Sequence, residues 1–223
     1  MASSGLNIQK LILVPAIITL VVTILRLVGE LNHWAPALFS REAGGGGAIV
    51  GISWLPIIFG VYFGVKLANA GHGPGSGWKS AGYSLLALVA IALVFLGATV
   101  LTGGSPLAQL VAGAVGSLLA LFVLSKGWSE MYKTLLAYAF AARIPVVLVM
   151  LVAILADWGT HYDVLPPGAP EMTGLVKWFV IGVVPQMTFW IAFTVLVGNL
   201  FGSVAVALAG KTGRNTTRAA QTT

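Results

Sequence analysis

Cysteine is absent from all 223 residues. No disulfide framework, thiolate metal site or cysteine nucleophile exists in such a chain. Charge is scarce too. Asp, Glu, Lys and Arg make up 8% of the sequence, where a soluble domain carries roughly 25%. A chain this poor in charge cannot coat a globule with polar surface. Several motifs are also missing. No Gly-Lys-Ser/Thr follows the Gly44–Gly47 run, so it is not a phosphate loop. There is no HExxH, no internal repeat of the kind that marks inverted-topology transporters, and no arginine ladder of a voltage sensor. The three histidines, His33, His72 and His161, lie in loops or at the ends of apolar segments, which excludes a haem site of facing membrane histidines. No cofactor is expected.

What is present is apolar: 58% of residues are hydrophobic and the mean hydropathy is +0.96. Six apolar segments stand out, over residues 9–29, 48–68, 82–102, 106–125, 134–156 and 174–209. They are apolar on every face for about 20 residues, the length of a membrane helix, and lack the alternation of a transmembrane barrel strand. The sequence therefore predicts an all-α, polytopic membrane helix bundle of about six transmembrane helices. Residues 1–210 form one helical domain, and residues 211–223, polar throughout, form a disordered cytoplasmic tail. Residues 8–29 read as a retained first span rather than a cleaved signal, because Arg26, Glu30, His33 and Trp34 interrupt what would be the cleavage region.

The sixth segment is too long for one crossing. Its 36 residues would extend about 54 Å as a straight helix, against a hydrocarbon core of about 30 Å. Pro185-Gln186 divides it, which favours one interrupted helix over an interfacial piece followed by a span.

Lys and Arg are distributed unequally between the two sides. With six spans, Lys10, Lys66, Lys79, Lys126, Lys133, Lys211, Arg214 and Arg218 share one side. Arg41, Lys177 and the nearby Arg26 take the other. By the positive-inside rule both termini are cytoplasmic. The net charge of +6 is spread over span ends in this way, which argues against a nucleic-acid partner. Five of the six acidic residues, Glu30, Glu42, Asp157, Asp163 and Glu171, fall on the outer side. Absence of cysteine and simple loops suggest a multi-pass protein of a bacterial inner membrane, in contact with lipid and able to form a homo-oligomer or join a larger membrane complex.

Four residues are candidates for ligand binding. Arg143 lies in the middle of the fifth segment, TLLAYAFAARIPVVLVMLVAILA, as its one charge. An arginine at mid-bilayer costs about 2.5–3.5 kcal/mol on insertion scales, and such a residue is by default a functional hypothesis. No carboxylate lies at matching depth. Its partners could be carbonyls freed near Pro145, an amide, a lipid phosphate or an anionic ligand. Gln186 follows Pro185 at comparable depth, so two broken helices would meet there, as in many transporters. Arg26 and Glu30, four apart on the first span, share a face and form either a structural pair or part of an outer anion site.

His33, Asp157, His161 and Asp163 are candidates for a divalent metal. Two imidazoles with carboxylates suit zinc, if spans one and five are neighbours. Three functional readings follow. The leading one is a non-enzymatic membrane protein that binds or passes a small solute or lipid through Arg143. The alternatives are an accessory subunit of a larger membrane complex, and a metal-dependent membrane enzyme using His33, Asp157 and His161. Gly60-xxx-Gly64, Gly113-xxx-Ser117 and Gly198-xxx-Gly202 read as helix-packing motifs.

Overall fold

Asn7, Ser76 and Ser105 each start a helix by accepting a hydrogen bond from a backbone N–H three residues on, at 3.0, 3.2 and 3.3 Å. Each such cap contributes about 1 kcal/mol. They open α1 (Ile8–Leu31), α3 (Gly77–Thr102) and α4 (Pro106–Ser125). The remaining helices are α2 (Leu55–Asn69), α5 (Ser129–Ala156) and the long segment α6 (Gly174–Leu208). The computed structural model describes residues 7–45 and 48–210, among which there are helices and connecting loops and no strand. The tail at 211–223 lies outside the described residues. Five of the six helices are long and apolar enough to cross a membrane, as expected of an integral, multi-pass membrane protein.

The exception is α2. The second apolar segment starts at residue 48, yet its helix begins only at Leu55 and holds 15 residues, about 22 Å at 1.5 Å per residue. Turns and bends take residues 49–53.

Helix directions alternate as six successive crossings require. Thr19 of α1 meets Tyr138 of α5, and Glu30 meets His161 just beyond α5, so α1 and α5 run parallel. Gly60 and Gly64 of α2 meet Gly198 and Gly202 of α6, so this pair is parallel as well. Ser80 and Ser84 of α3 meet Asn199, and Gly77 meets Ala207, an antiparallel pairing.

The packing is inverted relative to a soluble bundle. α1 exposes Leu13, Val14, Ile17, Val21, Ile24 and Leu25 and buries Pro15, Thr19, Thr23, Arg26 and Glu30. α3 buries Gly77, Ser80, Ala81, Ser84 and Ala87, while α4 buries Ala112, Gly113, Gly116, Ser117 and Ala120. On α1, α3 and α4 large side chains face outward and small ones face helices, the arrangement of a protein whose solvent is lipid. Helix association there rests on close van der Waals contact rather than on hydrophobic burial. Two of the anticipated glycine motifs form a single contact. A Cβ on Gly60 would collide with the Gly198 backbone, and one on Gly64 would stand 2.8 Å from the Gly202 carbonyl oxygen. Around this contact lies the apolar core of Phe63, Leu67, Leu124, Met131, Leu135, Tyr138, Ile191 and Val195.

α6 is one interrupted helix, as the sequence predicts. Pro185 has no N–H to donate four residues back. The chain responds with a wider π turn over Trp178–Val183, in which the Val184 N–H reaches the Phe179 carbonyl. A second irregularity follows at Thr188 (φ −115°, ψ −80°) before a regular helix runs to Leu208. Trp178 Nε1 donates to the Val147 carbonyl of α5 at 2.9 Å and fixes this turn against its neighbour.

Candidate functional site

Beside the π turn, α1, α4, α5, α6 and the loops before α2 and after α5 line a half-open cavity of about 700 Å³. That is within the roughly 300–1,000 Å³ range of small-molecule sites. Its wall is mostly apolar, with Val22, Leu110, Val146, Met150, Ile181 and Trp190 among the lining side chains. Pro166, Pro167 and Pro170 of the loop after α5 close one flank. The polar lining groups are few: Thr23, Arg26, Ser53, Arg143, His161, Tyr162 and Gln186. Three of the four residues anticipated for ligand binding thus share one wall, and the fourth, Glu30, stands directly behind Arg26.

Arg143 is 4% exposed. One face of its guanidinium lies over the Trp190 ring, 4.7 Å from the ring centroid. NH1 donates to Gln186 Oε1 at 3.4 Å, the residue's one hydrogen bond among the described residues. Nε is buried with no acceptor. No carboxylate pairs with Arg143 among the described residues. The carbonyls near Pro145 do not serve it, contrary to one expectation, and α5 continues through that proline without interruption. The meeting with Gln186 follows from α5 and α6 running antiparallel, with both residues beside a proline.

Arg26 and Glu30 form an ion pair, Nε to Oε1 at 2.7 Å, both essentially buried. Arg26 NH2 also donates to the Ser40 carbonyl at 3.1 Å. Glu30 accepts twice more, from the His161 backbone N–H at 2.9 Å and from His161 Nδ1 at 2.5 Å. Burial is the largest influence on His161 and holds its pKa below the ordinary value. The hydrogen bond to Glu30 opposes that shift without reversing it. The ring is therefore a neutral imidazole at pH 7 whose Nδ1–H donates. Burial raises the Tyr162 phenol, which stays protonated and donates to the Thr23 carbonyl at 3.3 Å.

The four residues expected to hold a metal are not brought together. Among the described residues no three His, Asp or Glu side chains gather as a ligand set. Each has other work. His33 Nδ1 accepts from Arg41 NH1 at 2.7 Å. Asp157 terminates α5 in the left-handed conformation, φ 49°. Asp163 Oδ2 accepts from the Gly159 N–H at 2.7 Å, and its Oδ1 from the N–H and hydroxyl of Thr160, each at 2.6 Å. The carboxylate of Asp163 is spent on its own turn. Because α5 stops at Ala156, the four-residue spacing of Asp157 and His161 does not place them on one helical face. The enzyme reading that relied on His33, Asp157 and His161 loses its metal constellation with this.

Sequence reasoning missed Trp190, whose ring covers Arg143, and the role of Arg41. Arg41 Nε donates to the Gly159 carbonyl at 2.7 Å, tying the loop before α2 to the loop that walls the cavity. It also missed a polar cluster at the opposite end of the bundle. Asn199 Nδ2 donates to Ser84 Oγ at 2.9 Å and to the Ser80 carbonyl at 3.2 Å, and Ser203 Oγ to Ser80 Oγ at 2.8 Å. The signal was present as Ser80/Ser84 and Asn199/Ser203, two pairs at four-residue spacing in otherwise apolar runs.

Comparison of the chain with protein-family models, with curated proteins and with solved structures gives no match. The site's own chemistry therefore carries the functional reading.

Proposed function

We propose that this integral membrane protein binds a small solute or lipid in the cavity beside Arg143. The observation that carries this reading is a guanidinium buried within the apolar bundle, without a carboxylate partner among the described residues, on the wall of a ligand-sized space. An intramembrane arginine is costly and is retained where it meets a partner or a passing ligand. A binding role fits the wall better than a catalytic one. Its polar groups are mainly hydrogen-bond donors, and Glu30, the nearest carboxylate, is taken by Arg26 and His161.

The lysine distribution supports a cavity that opens toward the outer side. Lys10, Lys66, Lys79, Lys126 and Lys133 lie at the end of the bundle opposite His161, which the positive-inside rule assigns to the cytoplasm. The test fills the space. Leu110, half-buried on the cavity wall, is replaced by tryptophan, and native mass spectrometry compares the purified wild type with Leu110→Trp. A bound mass carried by the wild type and missing from the variant is the expected result. Identical spectra, with the same or no bound mass, would refute occupancy of this cavity.

A further inference from the structure

The guanidinium of Arg143 has five N–H groups, and the structure shows where they are used. One face is covered by Trp190, at 4.7 Å. NH1 points to Gln186. The Nε edge has no protein acceptor although Nε is buried. That edge carries two parallel donors, from Nε and the adjacent nitrogen, in the fork geometry that matches a carboxylate or phosphodiester, and a ligand oxygen reaches the covered Nε when the side chains over it shift. Gln186 spends its carbonyl oxygen on Arg143 NH1, which leaves its amide N–H groups as further donors close to the guanidinium. The rest of the nearby wall, Val146, Met150, Ile181 and Leu110, is apolar.

Charge fixes the valence of the ligand. Arg26, the other cation on the wall, is already matched by Glu30 at 2.7 Å. One positive charge is then uncompensated among the described residues, and one negative charge neutralises it. Resting on the reading that the cavity is a binding site, we infer that its ligand is a monoanionic amphiphile. A carboxylate or phosphodiester head takes the Nε edge of Arg143 and the amide of Gln186, and an apolar body lies along Val146, Met150 and Ile181.

The experiment uses the full-length protein in nanodiscs of phosphatidylcholine. Three probes of equal chain length are titrated while thermal unfolding is followed: laurate, dodecanol and dodecylammonium. Laurate is expected to raise the melting temperature saturably, and the alcohol and the cation to fall at least about tenfold behind in apparent affinity, the value of a hydrogen bond to a charged group. A separate arm replaces part of the phosphatidylcholine with phosphatidylglycerol. Saturable stabilisation by phosphatidylglycerol alone would assign the head to a lipid phosphodiester, and by laurate alone to a free carboxylate. Either outcome supports the monoanion.

Two variants locate the effect. Arg143→Gln should abolish the response. Should that variant fail to fold, Gln186→Glu provides a carboxylate 3.4 Å from NH1 with almost no change of shape, so it should fold and still lose the laurate response through internal neutralisation. Equal responses to laurate and dodecanol, no response to either anion, or a response unchanged in Gln186→Glu would overturn the inference. The wider reading stands or falls separately, on whether Leu110→Trp removes the bound mass.

Discussion

Gly60→Ala isolates the contact that holds α2 against α6. The added methyl group would collide with the backbone of Gly198, whose carbonyl oxygen and Cα lie well inside van der Waals contact distance. A backbone cannot swing aside as a side chain does, so the two helices must separate. The same separation loosens the neighbouring contact, where a Cβ on Gly202 would lie 2.5 Å from the Gly60 carbonyl oxygen. Overpacking of a tight core costs about 1–3 kcal/mol. Replacing a helical glycine by alanine returns about 0.5–1 kcal/mol through reduced backbone entropy. The net expectation, the middle of the first range less the middle of the second, is a loss of about 1 kcal/mol. Gly97→Ala in α3 supplies the control, since a Cβ there meets nothing within 4 Å. It keeps only the favourable part, about 0.5–1 kcal/mol of stabilisation. Unfolding in mixed detergent micelles, followed by far-ultraviolet circular dichroism, measures both. Opposite signs are expected. If Gly60→Ala is as stable as Gly97→Ala, the close approach of α2 and α6 does not exist as described.

Two further outcomes follow. Asn199→Leu removes three hydrogen bonds to α3; at about 0.6 kcal/mol per interhelical bond in membranes, a loss near 2 kcal/mol is expected in the same unfolding assay, and an unchanged midpoint would count against the polar clamp. His161 carries a pH signature: its folded pKa lies below the ordinary histidine value, so the unfolded chain binds more protons as the pH drops below about 6.5. The stability it contributes is present above that pH and declines below it, so melting temperature should fall between pH 7 and pH 5.5, and fall less steeply in His161→Asn; matching slopes would contradict the neutral buried imidazole.

Much of this architecture is legible in the sequence because lipid imposes a simple rule on helices. Apolar runs of spanning length, broken by Gly73-Pro74 and Gly103–Pro106, mark α1, α3, α4 and α5 nearly to their ends. The interruption of α6 follows from Pro185, and the meeting of Arg143 with Gln186 from their comparable depth; the break expected at Pro145 does not occur. The pairing of Arg26 with Glu30 follows from their four-residue spacing. Other features depend on three-dimensional detail that spacing does not encode. His33, Asp157, His161 and Asp163 look like a ligand set along the chain, but α5 ends at the left-handed Asp157, while His33 pairs with Arg41, His161 with Glu30 and Asp163 with its own turn. The late start of α2 reflects a glycine-rich run whose apolar content masks its low helix propensity. The cavity arises where five chain segments leave a gap, so no single stretch of sequence announces it.

The π turn at Trp178–Val183 has a further consequence, for how this chain tolerates length changes. An α-helix advances about 100° per residue, so one additional residue within a turn rotates everything on one side of it by that angle. π turns are short local bulges of this kind. Seen so, α6 is a regular helix carrying a one-residue insertion. Downstream of it, Gly198 and Gly202 keep their register on α2; upstream, Trp178 keeps its hold on Val147. Deleting one residue from the turn would preserve one register only at the expense of the other. The bundle and the cavity thus have separate alignment requirements, reconciled in a single turn of α6.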